Sequence, residues 1–267
     1  MSSRPFDLLI FDWDGTLSDS EAVIVGAMQG AISALNLPAR SNQQIRELIG
    51  LGLNEALQAL YPELVQADLL RLLAGYRERF LATGVKEAPL FAGALEALKQ
   101  LHGAGYRLAI ATGKSRKGLD RSLLEHSDLR VLIGSSRCAD ETASKPHPRM
   151  LTELLEEEAL PAQRTLMIGD TEYDMAMAGA LTMPALGVVC GVHDGERLLR
   201  TGALGLIDGV RHLPEWLAAY GTKKAARASS CRTVISGKPT SAVGSRVSIA
   251  LNKEIPRPSH LNAPAQS

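Results

Sequence analysis

Neither sign of charge dominates this 267-residue sequence. Lys plus Arg and Asp plus Glu each number 29, so no whole-chain basic field points to nucleic acid. Cysteine is scarce: Cys138, Cys190 and Cys231 are odd in number and scattered. They offer neither a disulfide framework nor a metal-type spacing, and they favour a reducing, cytoplasmic setting. No long apolar run survives inspection. The uncharged stretch from Met175 to His193 is broken by Gly179, Pro184, Gly187 and Gly191, and so reads as helix end, turn and buried strand rather than a membrane span. The opening MSSRPFDLLI is too short and too quickly acidic for a signal peptide. What is present is ordinary globular composition, 45% apolar and 22% charged, enough for one large domain or two small ones.

The even balance conceals a split. From Gly221 onward eight basic residues face only Glu254, a surplus of seven positive charges, so residues 1–220 carry a surplus of seven negative ones. No aromatic residue follows Tyr220, and Ser, Thr, Ala and Pro abound. Such a segment buries too little apolar surface to offset its ordering entropy, so 221–267 is expected to be a largely disordered tail. Its basic residues are dispersed without interleaved aromatics, which makes a nucleic-acid arm a poor reading.

Short apolar runs mark buried strands at Phe6–Phe11, Arg107–Ala111, Val131–Ile133, Thr165–Ile168, Ala185–Val189 and Ala203–Ile207. Helical patterns lie between the later ones, at Ala94–His102 and Arg149–Glu158. That alternation predicts a doubly wound α/β core with a mostly parallel sheet. Residues 18–87 break it. There helix follows helix (Glu21–Leu35, Asn42–Ile49, Leu53–Leu60, Ala67–Thr83), punctuated by Pro38, Gly50, Gly52 and Pro62. The division expected is an α/β core at 1–16 and 89–220 with an α-helical insertion at 17–88. Placed after the first strand, the insertion would close over its carboxyl end, where ligands bind in open α/β sheets.

Four motifs at strand ends carry the chemistry. Asp12-Trp13-Asp14-Gly15-Thr16-Leu17 puts two carboxylates at the exit of a buried strand, a costly arrangement unless cations or donors meet them; Gly15 would allow Asp14 to swing over a group held by Asp12. Thr112-Gly113-Lys114 places a hydroxyl at the end of the second core strand, able to donate to a phosphate oxygen or to cap the helix that follows. In Ser144-Lys145-Pro146-His147-Pro148 a Lys stands just before a helix, where it could neutralise a phosphoryl group and a carboxylate together. Gly169-Asp170-Thr171-Glu172-Tyr173-Asp174 follows a strand directly, with carboxylates four apart. Oxygen-only ligands favour Mg²⁺.

Taken in order, DxDGT, strand-end Thr, Lys-Pro and GDxxxD resemble the haloacid dehalogenase superfamily. The helical insertion directly after DxDGTL resembles its branch with a type 1 cap, which includes the phosphoglycolate phosphatases. The likeness runs from about Phe6 to Leu217 and implies a Rossmann-like core with an inserted helical cap. It also implies that Asp12 is the nucleophile forming an aspartyl-phosphate, and that Asp14 is the acid and then the base. Thr112, Gly113 and Lys145 would bind the phosphoryl group, and Arg46 would meet a substrate anion or close a core–cap ion pair. Mg²⁺ would be held by Asp12, the carbonyl of Asp14 and Asp170, with Asp174 in support.

Within that family, retention of both Asp14 and Asp170 speaks against the metal-free dehalogenases. A cap whose one lysine, Lys86, stands at the far hinge speaks against the phosphonate cleavers. A phosphatase of a small phosphorylated metabolite leads, with 2-phosphoglycolate, a hexose or amino-sugar phosphate, or a nucleotide-derived phosphate as candidates. A sugar-phosphate mutase and a non-catalytic phospho-ligand sensor stand as alternatives. A soluble monomer or homodimer without a membrane partner is expected.

Overall fold

A computed structural model of the chain describes residues 4–82 and 88–235, with 225–235 described through the backbone alone. Six strands form one sheet: β1 (Leu8–Phe11), β2 (Arg107–Thr112), β3 (Ser135–Cys138), β4 (Thr165–Gly169), β5 (Ala185–Val188) and β6 (Leu206–Ile207). Their order is β3-β2-β1-β4-β5-β6, and every pairing is parallel. This is the doubly wound arrangement, whose strand order reverses at β1 and leaves a crevice at the carboxyl ends of the central strands.

Central strands read as continuous apolar runs because both of their faces are covered. Ile10 lies opposite Ala109 of β2 and Met167 of β4. Residues in phase with Ile10, among them Leu8, Ala111 and Ala185, pack with Met150 and Leu154 of α8 (Arg149–Glu158) and Met175 of α9 (Glu172–Gly179). The alternate set, Leu9, Phe11, Leu108, Ile110 and Ile168, packs on the other side. It meets Leu98 of α5 (Ala94–Gly103), Leu119 of α6 (Arg116–Glu125) and Leu217 of α11 (Leu213–Ile235). Two short helices, α7 (Ser127–Arg130) and α10 (Gly195–Arg200), complete this layer set.

Three expectations are corrected. The third strand is Ser135–Cys138, not Val131–Ile133. It is an edge strand, half-buried and polar, so an apolar run is a poor guide to it, and Val131 is an exposed residue of the preceding turn. The sixth strand shortens to Leu206–Ile207. Residues 221–235, expected to lack structure, continue helix α11; their Ala, Lys and Arg content has high intrinsic helix propensity, which an argument from burial alone overlooks. The rest of the basic tail, 236–267, lies outside the described residues. Residues through Arg227 form one compact unit, which Trp216 and Tyr220 of α11 help close: Tyr220 stacks on Trp216 at 4.9 Å and on Phe6 at 5.5 Å. No helix among the described residues is long and apolar enough to cross a membrane.

Between β1 and α5 lie α1 (Glu21–Ala34), α2 (Asn42–Arg46), α3 (Leu53–Leu60) and α4 (Gln66–Phe80). Their inward residues, including Val25, Ile32, Ile45, Leu57 and Leu72, make a separate apolar cluster. Helix α2 begins at a capping box of Ser41 with Gln44 and ends at Arg46, short of the expected Ile49, because the chain turns toward Gly50 with its positive φ of 102°. The two connections to the sheet run side by side: Asp19 donates to the Pro89 carbonyl and Phe91 to that of Leu17, both at 2.9 Å. Lys86, at the expected second hinge, is outside the described residues.

The loop after α2 rests on the loops of the sheet. Tyr173 Oη donates to the Glu47 carbonyl at 2.8 Å, and Gly52 N–H donates to Ser144 Oγ at 2.7 Å. The Arg197 guanidinium of α10 bridges Glu47 and Glu172, holding both carboxyls below the usual range and its own pKa up. Replacing Arg197 with Met should therefore loosen the seam more than the fold. An ion pair this exposed contributes about 0–1 kcal/mol to stability, so the melting temperature should move little while amide exchange at Gly52 speeds up, a contrast that exchange mass spectrometry reads directly.

Candidate active site

Strand β1 delivers Asp12 to the crevice while its backbone N–H still pairs with Ile168 of β4 at 2.9 Å. The chain then leaves the sheet in a tight turn, in which Leu17 and Ser18 donate to the Trp13 carbonyl at 2.9 and 3.0 Å. Gly15 is required there on two counts. Its φ is +79°, and a Cβ at this position would lie 2.2 Å from Asp170 Oδ2. Trp13 is buried as a packing residue beside the turn.

Lys145 stands at the centre of the site. It is fully buried, with its ammonium 2.8 Å from Asp12 Oδ1 and 2.7 Å from Asp174 Oδ1. Burial works against its charge, but Asp12 and Asp174 together outweigh that and push its pKa above the ordinary lysine value. Asp12 Oδ1 also accepts the Trp13 N–H at 2.6 Å. Its other oxygen, Oδ2, is buried with no hydrogen-bond partner, as is Asp174 Oδ1 apart from the lysine. Asp170 is held on both oxygens, by the Thr16 hydroxyl at 2.7 Å and the Val192 N–H at 2.9 Å. Asp174 Oδ2 accepts from the Thr171 hydroxyl at 2.7 Å and the Thr171 N–H at 3.2 Å, the capping box that starts α9.

One oxygen each from Asp12, Asp170 and Asp174 lie within 4.8 Å of one another, all buried. Three carboxylates against one ammonium leave two negative charges in excess. The strain appears in their acidities: burial and then the neighbouring carboxylates push Asp12 well above the ordinary range despite Lys145, and burial with Asp174 lifts Asp170 to about 7. A divalent cation bound to oxygen would balance that charge, so this buried trio of carboxylates fits Mg²⁺ in charge and chemistry.

Asp14 sits beside this cluster but outside the trio. Its Oδ1 accepts the Ser20 hydroxyl at 2.6 Å and lies 3.1 Å from Lys114 Nζ. Thr112 is buried at the end of β2, where its hydroxyl accepts the Lys114 N–H at 3.2 Å. Capping of α6 falls to Ser115 instead, which leaves Thr112 for another role. Gly113 is where the insertion touches the core: a Cβ there would lie 2.3 Å from the Leu51 carbonyl oxygen. The motif residues Asp12, Asp14, Thr112, Gly113, Lys145, Asp170 and Asp174 thus converge on one crevice.

Arg46 does not join them. Its guanidinium lies 2.9 Å from Glu21 Oε1, an ion pair within the insertion, and the residue is absent from the lining of the cavity between insertion and core. The core contact belongs to its neighbour Glu47, whose side chain leaves the end of α2 on the side of Arg197. Reading the sequence also missed Lys114, Thr16, Ser20 and Ser144. Thr16 was legible in principle as the last residue of DxDGT, and Lys114 as the only charge in the loop after β2. Ser20 and Ser144 carry no local signal: Ser20 reaches Asp14 only because the turn after β1 folds back, and the partner of Ser144, Gly52, is distant in the chain. His193 proves to be a buried seam residue. It accepts the Glu172 N–H at 3.0 Å, its Nε2 lies 3.7 Å from Glu47 Oε2, and burial and then Arg197 lower its pKa. Cys138 is buried and inert, its thiol pushed up by burial to about 12.

Comparison with known proteins agrees with this geometry. The family model of haloacid dehalogenase-like hydrolases matches residues 9–188. A protein of Dickeya dadantii named "Probable phosphatase IndB" is 36% identical over 209 residues, spanning 75% of this chain and 89% of its own. A phosphoglycolate phosphatase of Vibrio parahaemolyticus is 29% identical over 225 residues, spanning 82% and 99%. The crystal structure of a hydrolase from Pseudomonas syringae superposes with a TM-score of 0.71 at 26% identity, covering 80% of this chain and 99% of that one.

The buried charge cluster predicts an asymmetric response to mutation. Lys145→Met removes the cation between Asp12 and Asp174 and should cost about 3–5 kcal/mol at neutral pH, the usual result of stranding buried charge. Adding Asp174→Asn should recover part of that loss, because one of the stranded carboxylates is then gone. Urea unfolding of the two variants checks the order.

Proposed function

Because the chain belongs to the haloacid dehalogenase-like hydrolases and is a phosphatase of that family, we propose that it hydrolyses a small phosphomonoester through an aspartyl-phosphate on Asp12, with Mg²⁺ as cofactor. The observation that carries this reading is Asp12 Oδ2, a buried carboxylate oxygen with no partner at the carboxyl end of β1. A nucleophile needs a free lone pair, and burial removes the water that would otherwise blunt it.

Asp12, the carbonyl of Asp14 and Asp170, supported by Asp174, would hold the ion. When bound, Mg²⁺ offsets the repulsion between carboxylate and phosphoryl oxygens. The chain supplies the rest. Asp12 attacks phosphorus, a new P–O bond forms, and the bond to the ester oxygen breaks. The departing alkoxide takes a proton from Asp14. Asp14, now a carboxylate, takes a proton from water, whose oxygen attacks phosphorus; the bond to Asp12 breaks and inorganic phosphate leaves. Lys145 and the Thr112 hydroxyl hold phosphoryl oxygens through both steps, stabilising charge in a site that excludes water. The helical insertion at 17–88 acts as a cap over the α/β core, opening for substrate and closing to exclude water. The hydrogen bonds that join Gly52 to Ser144 and Tyr173 to Glu47 support a closed arrangement.

Phosphate release from a panel of phosphomonoesters tests the reading. Release should require Mg²⁺, vanish with EDTA and return on adding the metal. Asp12→Asn should abolish it, whereas Asp14→Asn should slow it by about 10²–10⁴-fold, the usual contribution of a positioned acid–base group. Metal-independent release, or turnover retained in Asp12→Asn, would refute the mechanism.

A further inference from the structure

A cavity of about 640 Å³ lies between insertion and core and includes Asp14 in its lining. That volume falls within the ~300–1,000 Å³ usual for small-molecule sites. Its walls on the insertion side are apolar: Ile24, Met28, Ile49, Leu53, Tyr76 and Phe80. Tyr76 and Phe80 stack at 5.5 Å and form an aromatic panel. Arg77, Glu78, Lys117 and Asp140 also line it but are exposed residues of its solvent edge.

The cavity's one sheltered cation among the described residues is Lys114. Its ammonium lies 3.1 Å from Asp14 Oδ1 and 4.9 Å from the centre of the Phe80 ring. A substrate carboxylate reaching it would shed its water between the Phe80 ring and the Ile, Leu and Met walls, a cost that one ammonium already in contact with Asp14 and Phe80 offsets only in part. A sugar would desolvate its hydroxyls against Ile, Leu and Met side chains that offer no hydrogen bond in return. An apolar ring suffers neither penalty and gains from burial against Tyr76 and Phe80.

We propose that the leaving group of the physiological ester is an apolar, ring-bearing alcohol lodged in this cavity, rather than a small hydroxy acid or a sugar. This inference rests on the phosphatase reading for the placement of phosphorus near Asp12, while the cavity's selectivity stands on its lining alone.

The test compares kcat/KM of the full chain for 2-phenylethyl phosphate, 2-phosphoglycolate and glucose 6-phosphate with Mg²⁺. All three release a primary alcohol, so differences report the cavity and not the ease of bond breaking. The phenylethyl ester should lead by about tenfold or more, given what burial of apolar surface contributes to discrimination. Ala56 lines the cavity from α3, and Ala56→Trp would narrow it. That variant should lower the preference for phenylethyl phosphate over acetyl phosphate by about tenfold. Phosphoglycolate or glucose 6-phosphate turned over as well as the phenylethyl ester would overturn the proposal and leave the phosphatase reading intact. Should no ester be hydrolysed, that reading fails, and calorimetry decides the cavity separately. 3-Phenylpropylphosphonate must then bind the wild-type chain more tightly than 3-phosphonopropionate, and equal or reversed affinities would sink the inference.

Discussion

Everything at the crevice is organised around one buried ammonium. Lys145 has no exposed side-chain surface and touches two carboxylates that have almost none. Taking such ions out of water costs several kcal/mol apiece and is tolerable only where opposite charges and hydrogen bonds meet them with good geometry. The surroundings meet that demand almost completely: Trp13 N–H serves Asp12, Thr171 serves Asp174, and Thr16 with Val192 serves Asp170. The remainder, one Asp12 oxygen and two units of negative charge, is what a phosphatase site can use. Stability and chemistry are therefore set by the same residues, in opposite directions.

The doubly wound sheet makes that concentration of charge possible. Strands β1 and β4 are neighbours at the point where the strand order reverses, so Asp12 and Asp170, each just beyond or at a strand end, come together without any side chain reaching far. Small residues then let loops approach. Gly15 makes room for Asp170, and Gly113 makes room for the carbonyls of Gly50 and Leu51. The second of these contacts joins the helical insertion to the core, so a backbone without a Cβ, rather than a large apolar interface, sets how closely the two meet.

The insertion answers a different constraint. It holds its own apolar cluster and is tied to the core by polar contacts, notably Glu47 with Arg197 and Gly52 with Ser144. Exposed ion pairs and single hydrogen bonds are individually weak, which is compatible with the opening and closing proposed for the cap. The cavity between the two layers is the consequence: the insertion presents mostly apolar side chains, with Arg77 and Glu78 exposed, and the core side presents Asp14 and Lys114.

Much of this is legible in the sequence. Asp12, Asp14, Thr112, Lys145, Asp170 and Asp174 stand in short motifs beside apolar runs, because a parallel sheet buries its central strands on both faces and brings chemistry to their ends. The helices of the insertion were legible from their spacing, and the sheet's β1, β2, β4 and β5 from their apolar runs. The edge strand Ser135–Cys138 was not, since half its surface meets solvent and its pattern is polar. The helix through Ile235 was not, since propensity rather than burial sustains it. Sequence alone determined which residues stand at the strand ends and loop starts around the crevice, since the elements that present them are specified by local pattern. Tertiary structure alone decided their partners: Lys114 for Asp14, Glu21 rather than the core for Arg46, Arg197 for Glu47. Those choices depend on how far and in which direction a side chain leaves its element once distant segments have packed, and no local periodicity encodes that.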